Sequence, residues 1–259
     1  MAVDLARICG MATHRHPRCQ PRPLPALAGL MLIGGLGVTL AAQGEGGLAR
    51  SPSLRPQDFP LAAQQEAVLF TQLDVADQSW KPRAEALPGG GTRYIYKRRT
   101  SDPPLTLNQI KALMRNPPTF ALERGVIAGL LQELRRRGVT VALGPPRKQG
   151  AAGEWEPRAG VLRIRPDLPA KGSREFVRVL NHEAIHVAQS CRGGGLRARP
   201  SPLGLPRQVD AASQRHMADP IYARASARER ILEEEAYANQ DQLSLGLELL
   251  QVHCRGRWR

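Results

Sequence analysis

From Pro104 onward the order of apolar and polar positions predicts a succession of regular elements, whereas Gln43 to about Thr100 carries no sustained period. Thr106 is placed to cap a short helix, Leu107 to Met114, that ends before Pro117 and Pro118. A second helix, about Phe120 to Arg137, repeats Ile127, Leu130, Leu131 and Leu134 at helical spacing, and Gly138 supplies its stop. Three strand-like pieces follow, Val139 to Leu143, Gly153 to Pro157 and Gly160 to Arg165, which suggest a small, mostly antiparallel sheet. Ser173 then caps a helix running to about Cys191, with Phe176, Leu180, Ala184, Val187 and Ala188 as its buried stripe. Arg192 to about Ala225 reads as loop, and a last helix spans about Ala227 to Leu250. No internal repeat interrupts this order.

The pattern divides the chain into three parts. Residues 104–259 form the folded α+β domain, residues 43–103 a poorly ordered extension or linker, and residues 1–42 an export signal. The extension is marked by breakers, most clearly Pro88 followed by Gly89, Gly90 and Gly91, with one short helix, Asp58 to Thr71, inside it. In the signal, Arg7, Arg15, Arg18 and Arg22 precede an uncharged apolar run, Ala26 to Ala42, that ends in small residues. Cleavage near Ala42 sends the protein to a secreted or periplasmic location; the alternative is a membrane anchor formed by residues 26–42.

Composition changes this picture in two ways. Aromatic residues make up only 4% of the 259 residues, against 25 Gly and 22 Pro, so the packed core is smaller than the chain. The chain is also basic, with a net charge of +14. That surface suits an anionic surface polymer, but no aromatic stacking pattern accompanies the basic runs, so no specific nucleic-acid function is expected. Removal of the signal leaves two cysteines, Cys191 and Cys254, at the ends of the two C-terminal helices. In an oxidising compartment they are expected to pair, the alternative being two separate buried thiols.

The chemistry is concentrated in His182-Glu183-Ala184-Ile185-His186. Residues four apart share a helix face, so both imidazoles can reach one ion while Glu183 addresses a water beside it. Two imidazoles and a carboxylate make a nitrogen and oxygen site suited to a single Zn2+ with one open position. An HExxHxxGxxH arrangement is excluded, because Gln189 and Arg192 stand where its Gly and third His belong. The third ligand is therefore sought in Glu233-Glu234-Glu235 of the last helix. Glu235 shares a face with Ile231, Leu232, Ala238 and Asn239, and an inward carboxylate needs a partner, so Glu235 is expected to hold the metal. Glu233 and Glu234 read as a solvated acidic face.

Glu235-Ala236-Tyr237-Ala238-Asn239, taken with the HExxH helix, resembles the gluzincin metallopeptidases, the thermolysin-like group whose site is completed by a Glu in a Glu-Ala-aromatic-x-Asp context. The run His182 to Gln189 is also similar to the HExxHVxQ helix of small bacterial minimal-gluzincin domains. The resemblance covers about Phe120 to Leu250 and implies a zincin-like fold, with a small sheet packed on an active-site helix and a second ligand-bearing helix. It implies an exported endopeptidase in which Glu183 is the general base for a water activated by zinc, acting on a peptide or protein substrate. Asn239, where the family has Asp, would hydrogen-bond a ligand histidine. Tyr222, His216 and Tyr237 are candidates for stabilising the oxyanion. Gly160 to Arg165 resembles the edge strand on which such enzymes lay extended substrates, and Arg163 and Arg165 suggest a preference for acidic side chains. The alternative from another class is a non-catalytic, zinc-stabilised binding module with a basic surface.

Overall fold

In the computed structural model, which describes residues 53–99, 102–219, 222 and 225–255, the apolar periodicity resolves into seven helices and six short strands. The architecture is α+β. Strands β1 (Phe59–Pro60), β4 (Thr140–Leu143), β5 (Gly153–Glu156) and β6 (Val161–Ile164) form one sheet in the order β1-β4-β6-β5. Only the β4–β6 pair is parallel, so the sheet is mostly antiparallel as expected. β2 (Arg83–Ala86) and β3 (Thr92–Ile95) make a separate hairpin around the Gly89 to Gly91 turn.

Helix α4 (Ser173–Arg192) is the centre of the molecule. It buries Phe176, Val177, Leu180, Ala184, Ile185, Val187 and Ala188, more than one stripe, because other elements cover it on several sides. α3 (Ala121–Arg136) brings Ile127, Leu130, Leu131 and Leu134 against it and stops at Gly138, whose φ of 84° lies in the left-handed region. α2 (Leu107–Arg115) starts at the expected Thr106, in a reciprocal capping box with Gln109.

The extension departs from expectation. Residues 53–99 are structured, and α1 (Glu66–Gln78) places Leu69 and Leu73 in the main core. Its Asp77 carboxylate, almost fully buried, accepts the Ser173 amide at 2.8 Å, the Ser173 hydroxyl at 2.7 Å and the Arg124 guanidinium at 2.7 Å. The N-terminus of α4 is thus capped from another helix rather than by Ser173, which is its first helical residue. The fold begins well before Pro104.

At the other end, the single helix expected over Ala227 to Leu250 is two, α6 (Ala227–Asn239) and α7 (Leu245–His253). The break is held by buried Asn181 of α4, whose amide donates to the carbonyls of Gln240 and Gln242 and whose oxygen accepts the Gly246 amide. The expected loop over 192–225 also contains a short helix, α5 (Ala211–Met217), capped by Asp210. Cys191 and Cys254 form a disulfide that joins the end of α4 to the residue after α7.

All described residues belong to one unit, Gly47–Arg259. Among them, no helix is long and apolar enough to cross a membrane. The export signal expected over residues 1–42 lies outside the described residues.

Candidate metal centre

α4 packs against strand β5 and presents His182, Glu183 and His186 to a cleft of about 650 Å³. The Nε2 atoms of His182 and His186 are 3.1 Å apart. The Oε2 atom of Glu233, on α6, lies 3.5 Å from each of them. A tetrahedral ion with bonds of about 2.0–2.1 Å separates its ligand atoms by about 3.3–3.4 Å. The triangle of donor atoms therefore has the dimensions of three vertices around such an ion, and its two imidazoles and one carboxylate are donors that zinc accepts.

The carboxylate at this vertex is Glu233, not Glu235. Two residues on a helix point about 200° apart, so only one of the pair can face the imidazoles. Glu235 is buried, as its inward position requires, but its oxygens accept the Leu203, Gly204 and Leu205 amides at 2.9, 2.7 and 3.1 Å and the Gln189 side-chain amide at 3.0 Å. It is satisfied by a loop. Glu234 does remain partly exposed, paired with Arg207 at 3.1 Å, whereas Glu233 is far from solvated, its side chain 12% exposed.

The electrostatics of the group follow from its burial. Desolvation raises the Glu183 carboxyl above the usual range; the two imidazoles and the Trp155 amide pull the other way without overcoming it. Burial opposes a charge on His186, but Glu233, then Glu183 and the Gln189 bond, push it up to about 9. Glu233 is buried too, and the two histidines hold its carboxyl well below the usual range. A carboxylate and two imidazoles so arranged attract positive charge.

Glu183 is confined against the sheet. The Trp155 amide on β5 lies near enough to lower the proton affinity of its carboxyl, and a Cβ on Gly153 would stand 2.7 Å from that carboxyl and 2.9 Å from Val179. Only glycine allows the strand so close to the acid.

The remaining predicted residues divide. Tyr222, His216 and Tyr237 all line the cleft. The two phenols are 3.0 Å apart, the Tyr237 ring stands edge-on to His182 at 4.6 Å, and burial raises both hydroxyls so that they stay protonated donors. Asn239 does not reach a histidine: its amide donates to the carbonyls of Pro206 and Glu235, and its oxygen accepts Gln242. The side chain bonded to one of the two histidines is that of Gln189, whose Oε1 is 2.8 Å from His186 Nδ1. Gly160 to Arg165 is not an edge either. β6 lies between β4 and β5, and Arg163 is buried in ion pairs with Asp58 and Glu156, so it cannot read a substrate. Arg165 does line the cleft but pairs with Asp167. The edge beside the cleft is β5.

Glu233 had a signal in the sequence, since it lies one turn before Tyr237 on the same helix face. Lys148 had none; it sits on a loop and comes within 3.6 Å of the Glu233 carboxylate.

In comparisons with known proteins, the chain matches no family model, no curated protein and no solved structure.

Proposed function

We propose that the protein is an exported zinc-dependent metallopeptidase of zincin-like architecture, with His182, His186 and Glu233 as metal ligands and Glu183 as general base. The observation that carries this reading is the triangle of 3.1, 3.5 and 3.5 Å between the three donor atoms, with a fourth side open to the cleft and Glu183 on the same helix. It retains from the gluzincin resemblance an HExxH helix completed by a Glu from a second helix, but moves that Glu two positions upstream. The disulfide and the basic, then apolar, N-terminal sequence support export.

Zinc held by these residues supplies Lewis acidity toward water and a substrate carbonyl. The protein's own groups do the rest. Glu183, its proton affinity raised by burial, takes a proton from the attacking water and returns it to the leaving amine. Tyr237 and Tyr222 supply protonated hydroxyls on the same wall of the cleft, suited to a developing oxyanion. The carbonyls of Ala152, just before β5, and of Glu156, at its end, accept amides from the β6 side, so the alternate residues, Gly153 and Trp155, turn their backbone groups away from β6. That open edge fits an extended peptide.

The test is cleavage of a peptide library by zinc-loaded protein beside Glu183→Gln. The reading expects cleavage by the wild type and loss of about 1,000-fold or more in the variant, with zinc content unchanged. Folded, zinc-loaded wild type that cleaves nothing would favour the binding module instead.

A further inference from the structure

The buried amide of Gln189 has only one way to sit. Its nitrogen donates to the Leu232 carbonyl at 3.0 Å and to the Glu235 carboxylate at 3.0 Å, two acceptors that cannot face an amide oxygen. Its Oε1 is therefore the end turned to His186, where an acceptor at 2.8 Å requires a proton on Nδ1. In the neutral ring, the form that binds a metal, a proton on Nδ1 leaves the lone pair to Nε2, the atom directed at His182 and Glu233.

We infer that Gln189, itself oriented by Glu235, is a positioning residue that fixes the ring and the tautomer of His186 for metal binding. The relay runs from a loop to the site. Glu235 is held by the Leu203, Gly204 and Leu205 amides, it holds the Gln189 nitrogen, and Gln189 holds the His186 Nδ1 proton. This gives the buried carboxylate of Glu235 a role one step removed from the ion, and it explains why a carboxylate is tolerated there with no ion-pair partner among the described residues. His182 has no such support: its Nδ1 is buried and has no hydrogen-bond partner among the described residues, so it serves as the internal comparison.

The inference rests on the metal-site reading for its consequence, but its geometry can be read without metal. In the full chain, 1H–15N correlation of the histidine side chains should show a slowly exchanging Nδ1 proton on His186, both metal-free and with zinc added. In Gln189→Met that proton should become fast-exchanging while the protein still unfolds cooperatively, and zinc affinity should fall about 10- to 100-fold. Absence of the protected Nδ1 proton in the wild type overturns the relay whether or not the variant folds. So does a Gln189→Met protein whose Nδ1 proton is as protected as in the wild type. Wild type that shows the protected proton yet takes up no zinc keeps the relay and removes the metal reading.

Discussion

Glu233 and Glu235 stand two positions apart on one helix, yet the first lies 3.5 Å from both imidazoles while the second is enclosed by three backbone amides and Gln189. The division gives each acid its own phenotype. Glu235→Ala takes the acceptor from three partly buried loop amides and from one of the two buried N–H bonds of Gln189, and should cost about 2–3 kcal/mol of stability, read by denaturant unfolding. At saturating zinc it should still bind one ion. A Glu235→Ala protein as stable as wild type would show that the loop does not depend on the carboxylate.

Gly153 keeps β5 close to Glu183, the proposed general base. In Gly153→Ala the new methyl meets the Glu183 carboxyl at 2.7 Å, and one of the two must move. Peptide cleavage should fall about 10- to 100-fold with zinc content unchanged. Undiminished turnover would mean that the position of Glu183 against the strand is not used in catalysis.

The N-terminal segment is part of the fold. Asp77→Ala removes the acceptor for the Ser173 amide and hydroxyl and for Arg124, and should destabilise the protein by about 2–3 kcal/mol. A chain beginning at Pro104 should not fold cooperatively, because it lacks Leu69, Leu73 and the cap of α4. Cooperative thermal unfolding of that truncation would contradict the assignment of α1 to the core.

Asp58 makes stability depend on acid. Burial disfavours its charge, but the Arg55 amide and the Arg163 and Arg55 guanidinium groups outweigh that and hold its carboxyl below the usual 3.8. A group whose folded value is depressed stabilises the fold above its unfolded value and loses that contribution as the pH falls through the folded one. Asp58→Asn should therefore be less stable than wild type at pH 7, with the gap closing below about pH 4. An equal deficit at pH 7 and pH 3, by thermal unfolding, would count against an ionic role.

The parts of this structure legible in the sequence are those governed by local periodicity. α3 and α4 announce themselves because Ile127, Leu130, Leu131 and Leu134, and Phe176, Leu180 and Ala184, recur on one face. The two histidines follow from the same period. α1 is hard to read because apolar residues lie on both of its sides, Leu69 and Leu73 buried but Val68 and Val75 exposed. The burial of Glu235 is legible, but its partners are not, since backbone amides of a distant loop carry no side-chain signature. The break after Asn239 likewise depends on Asn181, far away in the chain.

The most direct measurement is zinc bound per chain, by elemental analysis after equilibration at saturating metal, for wild type, His186→Ala, Glu233→Ala and Glu235→Ala. The account predicts one ion for wild type and for Glu235→Ala, and little or none for His186→Ala and Glu233→Ala. Full occupancy in Glu233→Ala together with its loss in Glu235→Ala would contradict it, as would a wild type that binds no zinc.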